Sequence, residues 1–181
     1  MNASTLLLYK NILFMGNSVD VSLMSYYTSG LLYLNMQRDK NSVLLMINGK
    51  KIEYENNYNK LDHIITINDL NNYSKKAIRT YSFGLLEQEF CVISSFGSKN
   101  NRFSHKSANF SLNDIFYNNK YGNSSSAVIQ KSEQLKYFHL LIQIYSKNIC
   151  QSEKSLLNKI QSPSIISSYE AKNFGIIDKI L

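Results

Sequence analysis

"YKNILFMGNSVD", Tyr9 to Asp20, holds three signals in one short stretch. Ile12 to Met15 is a continuous apolar run closed by Gly16, the pattern of a short buried strand. Asp20 stands where a helix cap belongs, because its carboxylate can accept from the free backbone amides of a first helical turn. Beyond it Met24, Tyr27, Leu31 and Leu34 recur every three or four residues, which predicts a helix with one apolar face. "RDKNS" (38–42) is a polar turn. "VLLMI" (43–47) is apolar without alternation, as expected of a parallel strand covered on both faces. Strand, helix and strand within about 35 residues make a βαβ unit, whose crossover should be right-handed.

Working outward, "NGKKIEYENNYNKLD" (48–62) is polar and irregular and reads as a loop. Ile64 to Tyr73 carries a weak helical face at Ile64, Ile67 and Leu70. Ile78 to Phe83 ("IRTYSF") is a third strand, Phe90 to Phe96 a helix, and Arg102 to Leu112 holds one or two further strands. "NDIFYNNKYGNSSS" (113–126) is a polar excursion. Ala127 to Ile149 is the longest helical pattern, its apolar stripe running through Val128, Leu135, Phe138, Leu141, Ile142, Tyr145 and Ile149. A short helix follows at Glu153–Ile160, and "SPS" (162–164) ends it. "SSYEAKNFGIIDKIL" then closes the chain as a capped helix, a Gly stop and a last strand. At 181 residues, without internal repeat or flexible linker, this is a single α/β domain.

Apolar residues make up 44% of the chain, which fits a packed core. No apolar run reaches the roughly 18–20 residues of a membrane span, and no signal peptide is read at the N-terminus. Cys91 and Cys150 lack metal-ligand spacing and both sit among apolar residues, so both are expected to be buried free thiols. The net charge of +7 is spread over separated lysines rather than a basic stripe, which argues for a solvated surface and against nucleic-acid binding. Asn, Lys, Ile and Tyr abound while Pro occurs once and Trp never. That bias has no packing rationale and matches an AT-rich coding sequence of the kind found in reduced organelle genomes.

The strand Ile78–Phe83 runs into "GLLEQEFCV" (84–92), a strand, a Gly turn and a helix. That arrangement can present a nucleophile at the lip of a sheet, yet the turn carries Glu87, Gln88 and Glu89 and no Ser, Thr or Cys. Elsewhere, a Ser-His pair built from His63, His105 or His139 with Ser94 or Ser95 finds no supporting pattern. Glu87 and Glu89 are spaced so that a helix would point them apart.

The order of elements and three local motifs resemble the proteolytic subunit family of the Clp protease, a catalytically degenerate plastid-type member of it. "YKNILFMGNSVD" is similar to the family opening, "LLYLNMQRDKNSVLLMIN" to its second motif, and "SYEAKNFGIIDKIL" to its ending. The likeness covers about residues 8 to 181, with one insertion after Asn48. It implies a spiral of ββα units, with a head of about 8–112 and 163–181 and a protruding handle of about 113–162, a strand plus a long helix.

Carried over by motif, the family's nucleophile falls on Gln88, its general base on Asn113 and its acid on Pro163. The glycines that help form the oxyanion hole fall within "GKKI" (49–52). A Gln amide is no acyl-transfer nucleophile, Asn cannot accept a proton near neutral pH, and Pro has no side chain to orient a base. The resemblance therefore implies a non-catalytic structural subunit of an organellar ATP-dependent Clp protease. Its partners would be homologous subunits in heptameric or tetradecameric rings, an AAA+ unfoldase and chamber-bound polypeptide substrates, with no cofactor, metal, nucleic acid or membrane. The implied location is a plastid stroma, with the gene in the organelle. The alternatives are a divergent but active serine peptidase subunit, a crotonase-like acyl-CoA-binding protein, and a basic binding module.

Overall fold

The structure, a computed structural model, describes residues 3–39, 41–49, 60–112, 125–162 and 164–181. In chain order its elements are α1 (Ala3–Tyr9), β1 (Ile12–Asn17), α2 (Val21–Met36), β2 (Val43–Gly49), α3 (Lys60–Tyr73), β3 (Ile78–Ser82), β4 (Leu85–Glu87) and α4 (Glu89–Ser94). There follow β5 (Arg102–Ser104), β6 (Asn109–Ser111), α5 (Ser125–Ile149), α6 (Glu153–Gln161), β7 (Ile165–Ser167), α7 (Ser168–Phe174) and β8 (Lys179–Ile180).

The first βαβ unit forms as its sequence dictates. The Asp20 side chain accepts from the backbone amide of Leu23 at 2.7 Å, which satisfies a donor that the helix itself cannot. Met24, Tyr27, Leu31 and Leu34 are all buried on one face of α2. Both strands outrun their sequence estimate: β1 continues through Gly16 to Asn17 and β2 through Asn48 to Gly49, because each extra residue pairs with the other strand.

Five strands form one sheet in the order β1-β2-β3-β5-β8, every neighbouring pair parallel. A second, three-stranded sheet runs β4-β6-β7, with β6 and β7 antiparallel. The core lies on one face of the large sheet, where Leu13, Met15, Val43, Leu45 and Ile47 meet Leu31, Leu34, Ile64 and Ile67 of the helices. Each such side chain, removed from water, contributes about 1.5–3 kcal/mol.

The opposite face of that sheet departs from expectation. Burial alternates along β2, so Leu44 and Met46 are only half buried, and Phe14 on β1 is exposed. An apolar strand without alternation was read as covered on both faces; in the single chain it is covered on one.

The C-terminal segment behaves as read. Ser167 and Glu170 form a reciprocal capping box at the start of α7, and the helix stops at Gly175 with φ 94°. A side chain there would strike the carbonyl oxygen of Ile149 at the end of α5, so the position needs glycine twice over. Along α5, Leu141, Ile142, Tyr145 and Ile149 are buried, whereas Leu135, placed on the same stripe by sequence, is 57% exposed. Cys91 is buried as expected, but Cys150 is exposed, because it follows the last turn of α5 at φ 58° rather than lying on its inner face. Among the described residues, no helix is long and apolar enough to cross a membrane.

Candidate functional site

The corner between the two sheets is built from backbone outward. Strand β3 ends at Ser82, and Gly84 at φ 72° turns the chain out of the large sheet. The three residues of β4, unforeseen in the sequence, then pair with β6 in the small sheet. Gln88 comes next with φ 45° and ψ −104°, and α4 begins at Glu89. A positive φ at a residue with a Cβ costs about 1–3 kcal/mol and persists only where its surroundings over-determine it. Here the Gln88 amide donates to the Ser111 carbonyl at 3.2 Å, the Cys91 amide to the Gln88 carbonyl at 3.1 Å, and the Asn109 amide to the Gly84 carbonyl at 2.8 Å. From the side, Gly49 at the end of β2 lies so close to the Phe90 ring that a Cβ would overlap it. This is the backbone of a nucleophile elbow, with a glutamine on its crest.

Among the described residues, the thiol and hydroxyls next to the elbow are buried and bonded to backbone carbonyls. Cys91 lies one turn beyond Gln88, but burial pushes its thiol pKa up, and the charges of Glu89 and Glu87 push the same way. It stays a neutral thiol, donating to the Leu86 carbonyl at 3.1 Å. Ser94 and Ser95 are buried, and their hydroxyls donate to the Cys91 and Val92 carbonyls, both at 2.6 Å.

The three histidines have other partners. His105 is exposed, and its Nδ1 accepts from the Ser107 hydroxyl at 2.6 Å and the Ser107 amide at 3.3 Å, a contact that closes a surface turn. His139 is exposed on α5 with Gln143 at 3.1 Å. The Nδ1 of His63 is 3.5 Å from the Val19 carbonyl. Glu89 is buried at the start of α4 and Glu87 half buried on β4. Among the described residues, no group of three or more His, Cys, Asp or Glu side chains could hold a metal ion. Asn113, Pro163 and the Lys50–Ile52 part of "GKKI" lie outside the described residues.

Behind the elbow is an ion pair that sequence inspection missed. Arg102 on β5 donates to both carboxylate oxygens of Asp178, from Nε at 3.0 Å and Nη2 at 2.5 Å, and its Nη1 donates to the Asn148 carbonyl at 3.0 Å. Three segments, β5, the end of α5 and the approach to β8, are thereby tied together. Burial alone would raise the Asp178 pKa, but the hydrogen bonds from Arg102 outweigh it and hold the carboxyl below its usual range.

The Clp protease family matches residues 1–181, the whole chain. The chain belongs to the Clp protease family. Among curated relatives of this Clp chain, the ATP-dependent Clp protease proteolytic subunit-related protein 4, chloroplastic, of Arabidopsis thaliana is 25% identical over 182 residues, 96% of this chain and 57% of that protein. An ATP-dependent Clp protease proteolytic subunit of Bigelowiella natans is 30% identical over 117 residues, 65% of this chain and 60% of that one. The chain thus spans less than two thirds of the length of these two relatives.

Among solved structures, a peptidase from Plasmodium falciparum superposes with a TM-score of 0.87 at 29% identity, covering 98% of both chains. The ClpP protease catalytic domain from Plasmodium falciparum matches in fold, with a TM-score of 0.79 at 23% identity over 98% of this chain and 88% of that one. The ClpP-type fold anticipated from the terminal motifs is the fold observed.

Proposed function

We propose that this chain is a non-catalytic structural subunit of an ATP-dependent Clp protease ring, and that Ser-His-Asp subunits on other chains hydrolyse the peptide bond. The observation that carries the reading is Gln88. It sits on the strained crest of an elbow whose backbone suits a nucleophile, and its carboxamide cannot attack an acyl carbon. Gln88 stands for the family's serine, and by motif Asn113 stands for its base and Pro163 for its acid. In a well-studied serine protease, loss of the nucleophile alone lowers turnover by about 10⁶-fold. The neighbouring thiol and serines are committed to backbone carbonyls, which adds weight to the reading.

The proposed assembly is a heptameric ring, stacked in pairs around a chamber, with residues of about 113–162 as the handle between rings. The half-exposed outer half of α5, with Leu135, Tyr137 and Leu140, supports that use, since a lone chain leaves these apolar groups in water. The open face of the large sheet is proposed as the surface on which the unfoldase docks. A plastid location, with the gene in the organelle, is supported by the chloroplastic name of the Arabidopsis thaliana relative and by the AT-rich composition.

The test is the native mass and subunit composition of the complex that co-purifies with this chain. A particle of about seven or fourteen subunits of this size with triad-bearing partners is expected. A lone monomer would remove the assembly reading. Stoichiometric labelling of this chain by a fluorophosphonate probe would sink the non-catalytic reading and favour a divergent active subunit. Tight binding of an acyl-CoA would favour the crotonase-like alternative.

A further inference from the structure

We propose that the edge of the molecule where α1, α2 and α3 end and β1, β2 and β3 begin binds single-stranded nucleic acid. Tyr9 and Tyr73 stack on its bases, and Lys10, Arg38 and Lys75 hold its phosphates. The elbow lies beyond the other end of β3, so this edge is a separate site.

Topology fixes the grouping. β1, β2 and β3 are neighbours, run parallel and start level, with Ile12 beside Leu44 and Val43 beside Ile78. The loops that enter them are tied to one carboxylate. Asp39 accepts from Asn11 Nδ2 at 3.0 Å, from Asn41 Nδ2 at 2.9 Å and from the Lys76 ammonium. Ser74 adds a further tie, its hydroxyl donating to Asn35 Oδ1 at 2.9 Å. Lys10, Arg38 and Lys75 each stand next in the chain to one of these joined residues, and all three are exposed. Scattered through the sequence, they are gathered on one edge by the fold.

Each of the three helices ends the same way, with a large exposed side chain and then a cation within two residues. Tyr9 precedes Lys10, Met36 precedes Arg38 and Tyr73 precedes Lys75, and the three large side chains are 63%, 83% and 69% exposed. Cations beyond a helix C-terminus offset its dipole, but that role needs no aromatic neighbour. Lys76 already neutralises Asp39, and among the described residues Lys10, Arg38 and Lys75 enter no ion pair. Free cations beside exposed rings suit a ligand in which anions alternate with flat apolar faces. Single-stranded nucleic acid is such a ligand, because its bases are open to stacking and a phosphate recurs at every unit. An acidic peptide offers the charge but no partner for the rings.

The test is fluorescence anisotropy of a fluorescein-labelled oligouridylate of about 12 nucleotides against the native assembly of this chain, at rising salt. Counterion release from about three phosphates should give log affinity against log salt a slope of about −2. The variant Lys10→Gln/Arg38→Gln/Lys75→Gln should flatten that slope towards zero. Tyr9→Ala/Tyr73→Ala should weaken binding by about tenfold or more and leave the slope unchanged, since stacking carries no charge. Both variants alter only exposed side chains and should keep the parent's urea midpoint. Absence of binding at low salt, or a slope that survives the cation variant, overturns the proposal. Equal binding of a labelled duplex of the same length overturns the base stacking. A labelled poly-glutamate peptide that binds as tightly, and is released by the cation variant but not by the tyrosine variant, overturns it in favour of an acidic protein partner.

Discussion

Arg102→Met removes three side-chain hydrogen bonds at once and leaves the Asp178 carboxylate with backbone donors, the amide of residue 102 at 3.0 Å and that of Asn100. Breaking a buried charge pair from one side costs about 3–5 kcal/mol. Asp178 keeps 15% of its side chain exposed and retains those backbone donors, so a loss at the lower end, about 3 kcal/mol, is expected. Asp178→Asn preserves shape and some hydrogen bonding, and should lose about 2 kcal/mol.

Because both variants act on one pair, the double variant should lose less than the sum by about 2 kcal/mol. Urea unfolding followed by circular dichroism reads these values directly: with a slope of about 2 kcal/mol/M, a 3 kcal/mol loss lowers the midpoint by about 1.5 M. The pair also predicts a pH signature. The folded Asp178 pKa lies below its unfolded value, so its contribution is whole above about pH 4 and disappears as pH falls further. Asp178→Asn should flatten the stability profile in that acid range. A loss under about 1 kcal/mol for Arg102→Met, or additive single variants, would refute the claim that this pair fastens β5 to α5 and the C-terminal segment.

Gly175→Ala places a Cβ at φ 94° against the Ile149 carbonyl, and should cost about 2–3 kcal/mol, read as a lowered melting temperature of several degrees. Gln88→Ser places a hydroxyl at the elbow without a base, so hydrolysis of a fluorogenic peptide by the purified chain should stay at background; turnover well above it would show a base that the described residues do not supply. Iodoacetamide should alkylate exposed Cys150 in the native protein and reach Cys91 only after unfolding, as mass spectrometry of the two peptides would show.

The features that the sequence disclosed are local ones. The Asp20 cap, the spacing of Met24, Tyr27, Leu31 and Leu34, and the Ser167–Glu170 box before Gly175 each act within a few residues, and each formed as read. Strands β4 and β7 escaped notice because three residues cannot display a period. The Arg102–Asp178 pair joins positions 76 apart, a distance over which one sequence carries no signal. Leu44, Met46 and Leu135 misled for a physical reason: much of a folded chain's surface is itself apolar, so an apolar residue type does not reveal whether its side chain is covered. At the turn between β4 and α4, nothing in a glutamine foretells the positive φ that Gln88 adopts.

The corner at Gly84 and Gln88 is also where the chain passes from β3 in one sheet to β4 in the other, as it does again from β5 to β6, so it is a mechanical joint as well as a chemical platform. A joint and a catalyst differ in what they require. The catalyst needs particular side chains, whereas the joint needs only its dihedral angles and the amides that latch onto Ser111 and Gly84. Chemistry could therefore be deleted from this corner at no cost to the architecture, while straightening it would pull β4 away from β6. A protein in this position can lose its reaction and remain a sound building block.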